Sequence, residues 1–274
     1  MVKRFFMALL AASILALSPL AAQAQAPASL SDVAKVTLLP GWRTENGTHM
    51  AAIRITLADG WKTYWRSPGD AGIPPRFDWQ GSDNLAGVTL HWPIPKVFYQ
   101  NGLRTIGYSG DTVIPIEFTP TGSAQDVISL IGEMELGVCA EICAPMTVSF
   151  QVNLLPTGTP DKMIRASLAD RPINANQAGV GSVTCSIEPI SDGLRLNASV
   201  EIPKQGPDEV VVIELPDQSI WIAEATSTRD GRFLNAMTEM VPPNGAPFLL
   251  SRSDVRITVL GDQKAVNIQG CSAS

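Results

Sequence analysis

Thr147-Val148-Ser149-Phe150-Gln151-Val152-Asn153-Leu154 alternates polar and apolar residues without a break. A period of two marks a half-buried strand, because successive side chains leave opposite faces of the pleat. Working outward, Met50 to Leu57 and Thr112 to Phe118 are short runs rich in β-branched residues. Turn signals separate such runs: Asp59-Gly60, Pro68-Gly69-Asp70 and Ser109-Gly110-Asp111. Many short strands with Gly/Pro punctuation predict an all-β sandwich.

The pattern breaks near 156–180. Thr159-Pro160-Asp161 offers a helix start, with Thr159 as cap and Pro160 in the first position. Lys162 to Ala169 then gives two turns before Arg171-Pro172 stops them, and Asn174 to Gly179 reads as a linker. Strands resume over Gly193 to Ile202, Glu209 to Leu215, Ser219 to Ala223 and Asp254 to Leu260. The expected organisation is a signal peptide over 1–24, a β-domain over 25–156, a linker with a short helix over 157–179 and a second β-sandwich over 180–274.

The expected leader has a positive start in Lys3 and Arg4, an apolar run from Phe5 to Leu17, and small residues in Ala22-Gln23-Ala24. Cleavage after Ala26 is an equivalent variant. That run is too short for a membrane span and no longer one follows, so the mature chain is expected to be soluble and periplasmic. Disulfides persist in that compartment. The chain has 274 residues, with 26 acidic against 20 basic ones. Without a basic surplus to neutralise phosphates, nucleic-acid binding is excluded as a main role. Only 2 His and 4 Cys are present, which narrows the candidate chemistry to the sulfurs. Aromatic residues concentrate between Trp42 and Tyr108, where they are expected to fill the first sandwich and its corners.

Cys139-Ala140-Glu141-Ile142-Cys143 is the most informative segment. Four residues of extended strand span about 13 Å, whereas a disulfide needs Cα atoms within about 7 Å, so a bridge here requires a sharp bend. Such a small loop is a weak staple, and its alternative use is exchange with a partner thiolate. Three readings stay open on the spacing: an exchange centre, a local structural bridge, or a metal site recruiting His49, His91, Met134 or Met146. No recognisable ligand spacing supports the last, and no metal or cofactor is expected. Glu141 lies between the sulfurs and no Lys or Arg is adjacent in sequence, which should hold the thiol pKa up. Cys185 and Cys271 read as a structural bridge closing a long loop in the second domain, worth about 3 to 4 kcal/mol.

The order of motifs carries a resemblance. Gly60-Trp61-Lys62-Thr63-Tyr64-Trp65-Arg66-Ser67-Pro68-Gly69-Asp70 is followed by Ile73-Pro74, Phe77-Asp78-Trp79, Trp92-Pro93-Ile94-Pro95-Lys96-Val97-Phe98, Gly107-Tyr108 and Cys139-Ala140-Glu141-Ile142-Cys143-Ala144-Pro145. Over about residues 40 to 155 this resembles the N-terminal periplasmic domain of the thiol:disulfide interchange protein DsbD, in the variety found in suppressor-of-copper-sensitivity reductases. The resemblance implies immunoglobulin-like sandwiches and electron transfer by thiol–disulfide exchange through Cys139 and Cys143. It implies Phe98, with Tyr99 beside it, as an aromatic cap over the pair, and favours Cys143, which precedes Ala144-Pro145, as the attacking thiol. Implied partners are a thioredoxin-like or membrane thiol–disulfide donor and oxidised periplasmic client proteins. The chain carries no segment resembling the membrane domain and no Cys-x-x-Cys motif, so either the electrons are expected to come from separate proteins or the transfer role has been lost. The competing expectations are a non-catalytic periplasmic binding module linked to copper stress, and a structural or chaperone-like β-protein.

Overall fold

A computed structural model describes residues 29–69, 71–100, 102–246 and 248–274. The expected signal peptide, 1–24, lies outside the described residues. Ten strands come first: β1 (Ala34–Arg43), β2 (His49–Leu57), β3 (Lys62–Tyr64), β4 (Arg76–Asp78), β5 (Gly87–Leu90), β6 (Lys96–Gln100), β7 (Leu103–Ser109), β8 (Asp111–Thr119), β9 (Ile128–Cys139) and β10 (Cys143–Leu154). They form one sheet in the order β1-β2-β8-β5 and another in the order β10-β9-β3-β7-β6, with β4 added to β9. Inner-face residues of both sheets close on one core. Ala51, Ile53, Ile55, Ile114, Ile116 and Phe118 meet Leu130, Met134, Leu136 and Val138.

β2 is apolar on both faces, for a structural reason. Its Ala51, Ile53 and Ile55 enter the sandwich, while Met50 and Ala52 face outward and are covered by a helix. That helix, α1 (Lys162–Ala169), buries Ile164 against Met50, Ala52 and Val113. Its Ser167 hydroxyl donates to the Val113 carbonyl at 2.6 Å. Its extent agrees with the reading of the sequence, but the cap differs. Asp161, not Thr159, is the N-cap, and its carboxylate accepts from the Met163 and Ile164 amides at 2.7 and 3.0 Å. A carboxylate is the stronger acceptor there and also complements the helix dipole.

The remaining strands are β11 (Ile173–Asn174), β12 (Val183–Pro189), β13 (Leu194–Glu201), β14 (Val210–Glu214), β15 (Trp221–Ile222), β16 (Thr226–Asp230), β17 (Phe233–Val241), β18 (Arg256–Leu260), β19 (Ala265–Gln269) and β20 (Ser272–Ala273). They form sheets in the orders β11-β19-β18-β14 and β15-β17-β13-β12-β20, with β16 on β17. Leu196, Ala198 and Leu234 meet Ile213, Ile257, Val259 and Ile268 between them. The fold is all-β, in two immunoglobulin-like sandwiches. The stretch read as a linker begins in the second of these, because β11 pairs in parallel with β19.

The sandwiches touch through a shared apolar cluster. Trp65, Ile106 and Tyr108 from the first pack with Val210, Val212, Leu260 and Ala265 from the second. Trp65 is fully buried there. The aromatic concentration therefore does more than fill one sandwich: part of it joins two. Arg66 reinforces the joint with a two-pronged ion pair to Glu214, at 2.8 and 2.9 Å.

Candidate functional site

The cysteines sit where strand alternation puts them. On β9, Leu130, Met134, Leu136 and Val138 point into the core, so Ser129, Ile131, Glu133, Glu135, Gly137 and Cys139 point out. On β10 the outward set is Cys143, Pro145, Thr147, Ser149, Gln151 and Asn153. The register pairs Cys143 directly with Cys139 and Pro145 with Gly137. The sharp bend is thus a hairpin turn through Ala140, Glu141 and Ile142, and the Cα atoms of the bonded pair are 4.1 Å apart. Met134 and Met146 belong to the opposite, inward face. The strand geometry therefore keeps both thioethers away from the sulfurs.

Burial on the outer face of β9 departs from its alternation at one end only. Glu133 and Glu135 are exposed, whereas Gly137 is buried and Cys139 keeps 4% of its surface. Tyr64 from β3 covers Gly137. A Cβ built on Gly137 would stand 2.7 Å from Ile73 Cβ and 3.0 Å from the Tyr64 ring, so glycine makes room for the ring. The Tyr64 hydroxyl then reaches 3.4 Å from Cys143 Sγ. Burial raises the Tyr64 pKa, which keeps the hydroxyl protonated and able to donate to sulfur. The two sulfurs differ in access: Cys139 is buried, while Cys143 is exposed beside Ile142, which is 76% exposed at the hairpin tip.

The β6–β7 hairpin continues the same sheet on the far side of β3. Phe98 pairs with Thr105, and both share that face with Lys62. Tyr99 alternates to the other side, where it is 69% exposed, so the two candidate cap residues point in opposite directions. Gln100 links the β6–β7 hairpin to the cysteine hairpin, its amide nitrogen donating to the Ala140 carbonyl at 3.3 Å. From behind, Arg104 of β7 lies 3.1 Å from Glu224 of the second sandwich and donates to the Ala225 carbonyl at 3.4 Å. The β6–β7 hairpin is therefore held on both sides.

Lys62 is the residue that reading along the chain passed over. It lies directly opposite Cys139 on the adjacent strand and keeps only 8% of its surface. No Lys or Arg is adjacent to the cysteines in sequence, but β3 supplies one across the sheet. Its ammonium donates to Thr105 Oγ1 at 3.0 Å and Gln100 Oε1 at 3.3 Å, and stands 5.4 Å from the Phe98 ring centre. Burial pulls the Lys62 pKa down.

Cys185 and Cys271 are bonded to each other, with Cα atoms 5.8 Å apart. Cys185 is fully buried on β12, and Cys271 leads into β20, which pairs in parallel with β12. The bond ties the end of the chain into the second sandwich. His49 and His91 lie elsewhere: His49 Nε2 contacts the Pro40 carbonyl at 2.6 Å, and His91 Nε2 contacts Glu117 at 3.0 Å.

An immunoglobulin-like sandwich with a cross-strand disulfide at a hairpin tip, tied to a second hairpin by a hydrogen bond, defines a class of cysteine-bearing β-domain. Residues 35–154 match the family profile described as thiol:disulfide interchange protein DsbD, N-terminal. Among solved structures, the N-terminal periplasmic domain of ScsB from Proteus mirabilis is similar over 91% of this chain and 97% of its own, with a TM-score of 0.68 and 21% identity. That likeness extends the shared fold through the second sandwich. No curated protein sequence matches the chain.

Proposed function

We propose that the protein is a periplasmic thiol–disulfide relay whose exchanging pair is Cys139 and Cys143. The observation that carries this reading is the unequal access of one bonded pair: Cys143 is exposed at the hairpin tip while Cys139 is buried behind it. A structural staple gains nothing from such exposure, whereas exchange needs one reachable sulfur. The match of residues 35–154 to a thiol:disulfide interchange family supports it, as does the periplasmic setting of the ScsB domain.

In the proposed cycle a donor dithiol of the thioredoxin type attacks Cys143 Sγ as a thiolate. The Cys139–Cys143 bond breaks and its electron pair goes to Cys139, leaving the donor joined to Cys143. The donor's second thiol attacks its own bonded sulfur and releases Cys143 as a thiolate. The donor leaves as a disulfide, and this protein has gained two electrons and one proton, held by Cys139 beside the Cys143 thiolate. Cys143 then attacks a client disulfide, and Cys139 resolves that intermediate by re-forming the original bond. Tyr64 is placed to donate to the Cys143 sulfur, and Gln100 bonds the Ala140 carbonyl of the same hairpin, beside the face a partner would dock on.

The test is capture of mixed disulfides in periplasmic extract by single-cysteine variants. Cys139→Ala, which leaves Cys143, should trap partners; Cys143→Ala should trap far fewer. If neither variant traps a partner, the relay reading fails.

A further inference from the structure

We infer that Lys62 sets the ionisation of the Cys139–Cys143 pair once the bond is reduced, serving as the built-in counter-charge of the thiolate. The inference rests on the reading of that pair as the exchanging centre. It acts through the sulfurs, so Lys62 is a positioning residue and not a catalytic one.

The geometry argues it. Lys62 is directly opposite Cys139, which is directly opposite Cys143, so all three share one face across three neighbouring strands. The ammonium has neutral company only: the Thr105 hydroxyl, the Gln100 amide oxygen and the Phe98 ring. Among the described residues, no ion pair engages it, and none of these neighbours cancels its charge. A buried cation without a counter-ion is costly. Reduction creates an anion on the same face. The bonded pair accepts two electrons from the donor dithiol, one sulfur takes up a proton, and the other remains a thiolate. That thiolate relieves the unbalanced cation, and the cation lowers the pH at which the thiolate forms.

The other titratable or charged groups on this face do not replace Lys62. Tyr64 is held protonated, and Lys96 donates to Ser109 at 3.2 Å in an exposed position. Glu141 is exposed at the hairpin tip and opposes a thiolate from solvent. Glu135 is farther along β9, directly across from Arg76. Lys62 is the buried charge of the set. Directly opposed residues have Cβ atoms about 5 Å apart, which with the length of a lysine stem keeps the ammonium within about 12 Å of the sulfurs. At an effective dielectric constant near 20, a unit charge at that distance moves an ionisation by about one pH unit.

The experiment uses the reduced full chain alone, with no donor or client, so its failure is separable from failure of the relay. The rate of iodoacetamide alkylation against pH gives the first ionisation of the dithiol. Lys62→Met is expected to raise its midpoint by about one unit and to slow alkylation at neutral pH by about tenfold, while Lys62→Arg stays near the wild-type midpoint. A midpoint unchanged in Lys62→Met overturns the inference, as does an equal rise in Lys62→Arg. Should Lys62→Met not fold, wild-type protein decides. The Lys62 side-chain carbon resonance of the reduced form must show a step at the thiol midpoint that the oxidised form lacks, and absence of the step overturns the inference.

Discussion

Replacing Cys185 and Cys271 together by alanine should cost far more stability than the same change at Cys139 and Cys143. The two bonds close loops of very different length, with sequence separations of 86 and 4. Loop-closure entropy in the unfolded chain gives about 4.6 kcal/mol at 25 °C for the long loop and about 1.9 kcal/mol for the short one. Cys185 is also fully buried, within the core that joins β12 and β13 to β14 and β18, so shortening it adds a packing loss. Guanidinium unfolding of both double variants, followed by far-UV circular dichroism, measures the difference. A long-loop variant that loses less than about 1 kcal/mol would refute the entropic argument. Equal losses for the two pairs would refute the division of one bond as staple and the other as exchange centre.

Two further outcomes follow from local geometry. His49 is buried with Nε2 donating to the Pro40 carbonyl, while its Nδ1 is buried without a partner, and burial lowers its pKa. Its contribution to stability is therefore full above the ordinary imidazole value of about 6.5. As pH falls below that, the unfolded chain takes up the proton first, and the contribution is lost as pH drops through the lowered folded value. Denaturation midpoints measured down this range should fall, and His49→Gln should flatten the slope; an equally steep slope in that variant would contradict the assignment. Gly137→Ala places a methyl 2.7 Å from Ile73 and 3.0 Å from the Tyr64 ring. Overpacking of that kind costs about 1–3 kcal/mol, and it should also displace the Tyr64 hydroxyl from Cys143. Thermal unfolding together with the Cys143 alkylation rate checks this, and a variant unchanged in both would show that the ring is not constrained there.

Several features were legible in the linear sequence because their signals are local. The alternation of Thr147 to Leu154 marks β10 and its inward set, Phe150, Val152 and Leu154. The span of α1 follows from the Arg171-Pro172 stop, although its cap lies at Asp161, since a carboxylate aligned on two free amides outcompetes the hydroxyl expected at Thr159. The sequence marks Met50 to Leu57 as a strand, and only the docking of Ile164 explains why its outer face carries Met50 and Ala52.

Sequence by itself determined the all-β class and singled out Cys139 and Cys143 as the exchange candidates, with Cys185 and Cys271 as a staple. Those properties rest on side-chain period, turn residues and motif order, which are read between near neighbours in the chain. The tertiary structure alone decided which sulfur is exposed, that Tyr99 turns away while Gln100 reaches Ala140, and that the second sandwich braces the β6–β7 hairpin through Arg104. It also placed Lys62 across a strand from Cys139, although the two are far apart in the chain. The physical reason is that register and sheet order set the electrostatics of this site, and both are fixed by pairing between distant segments that no local pattern encodes.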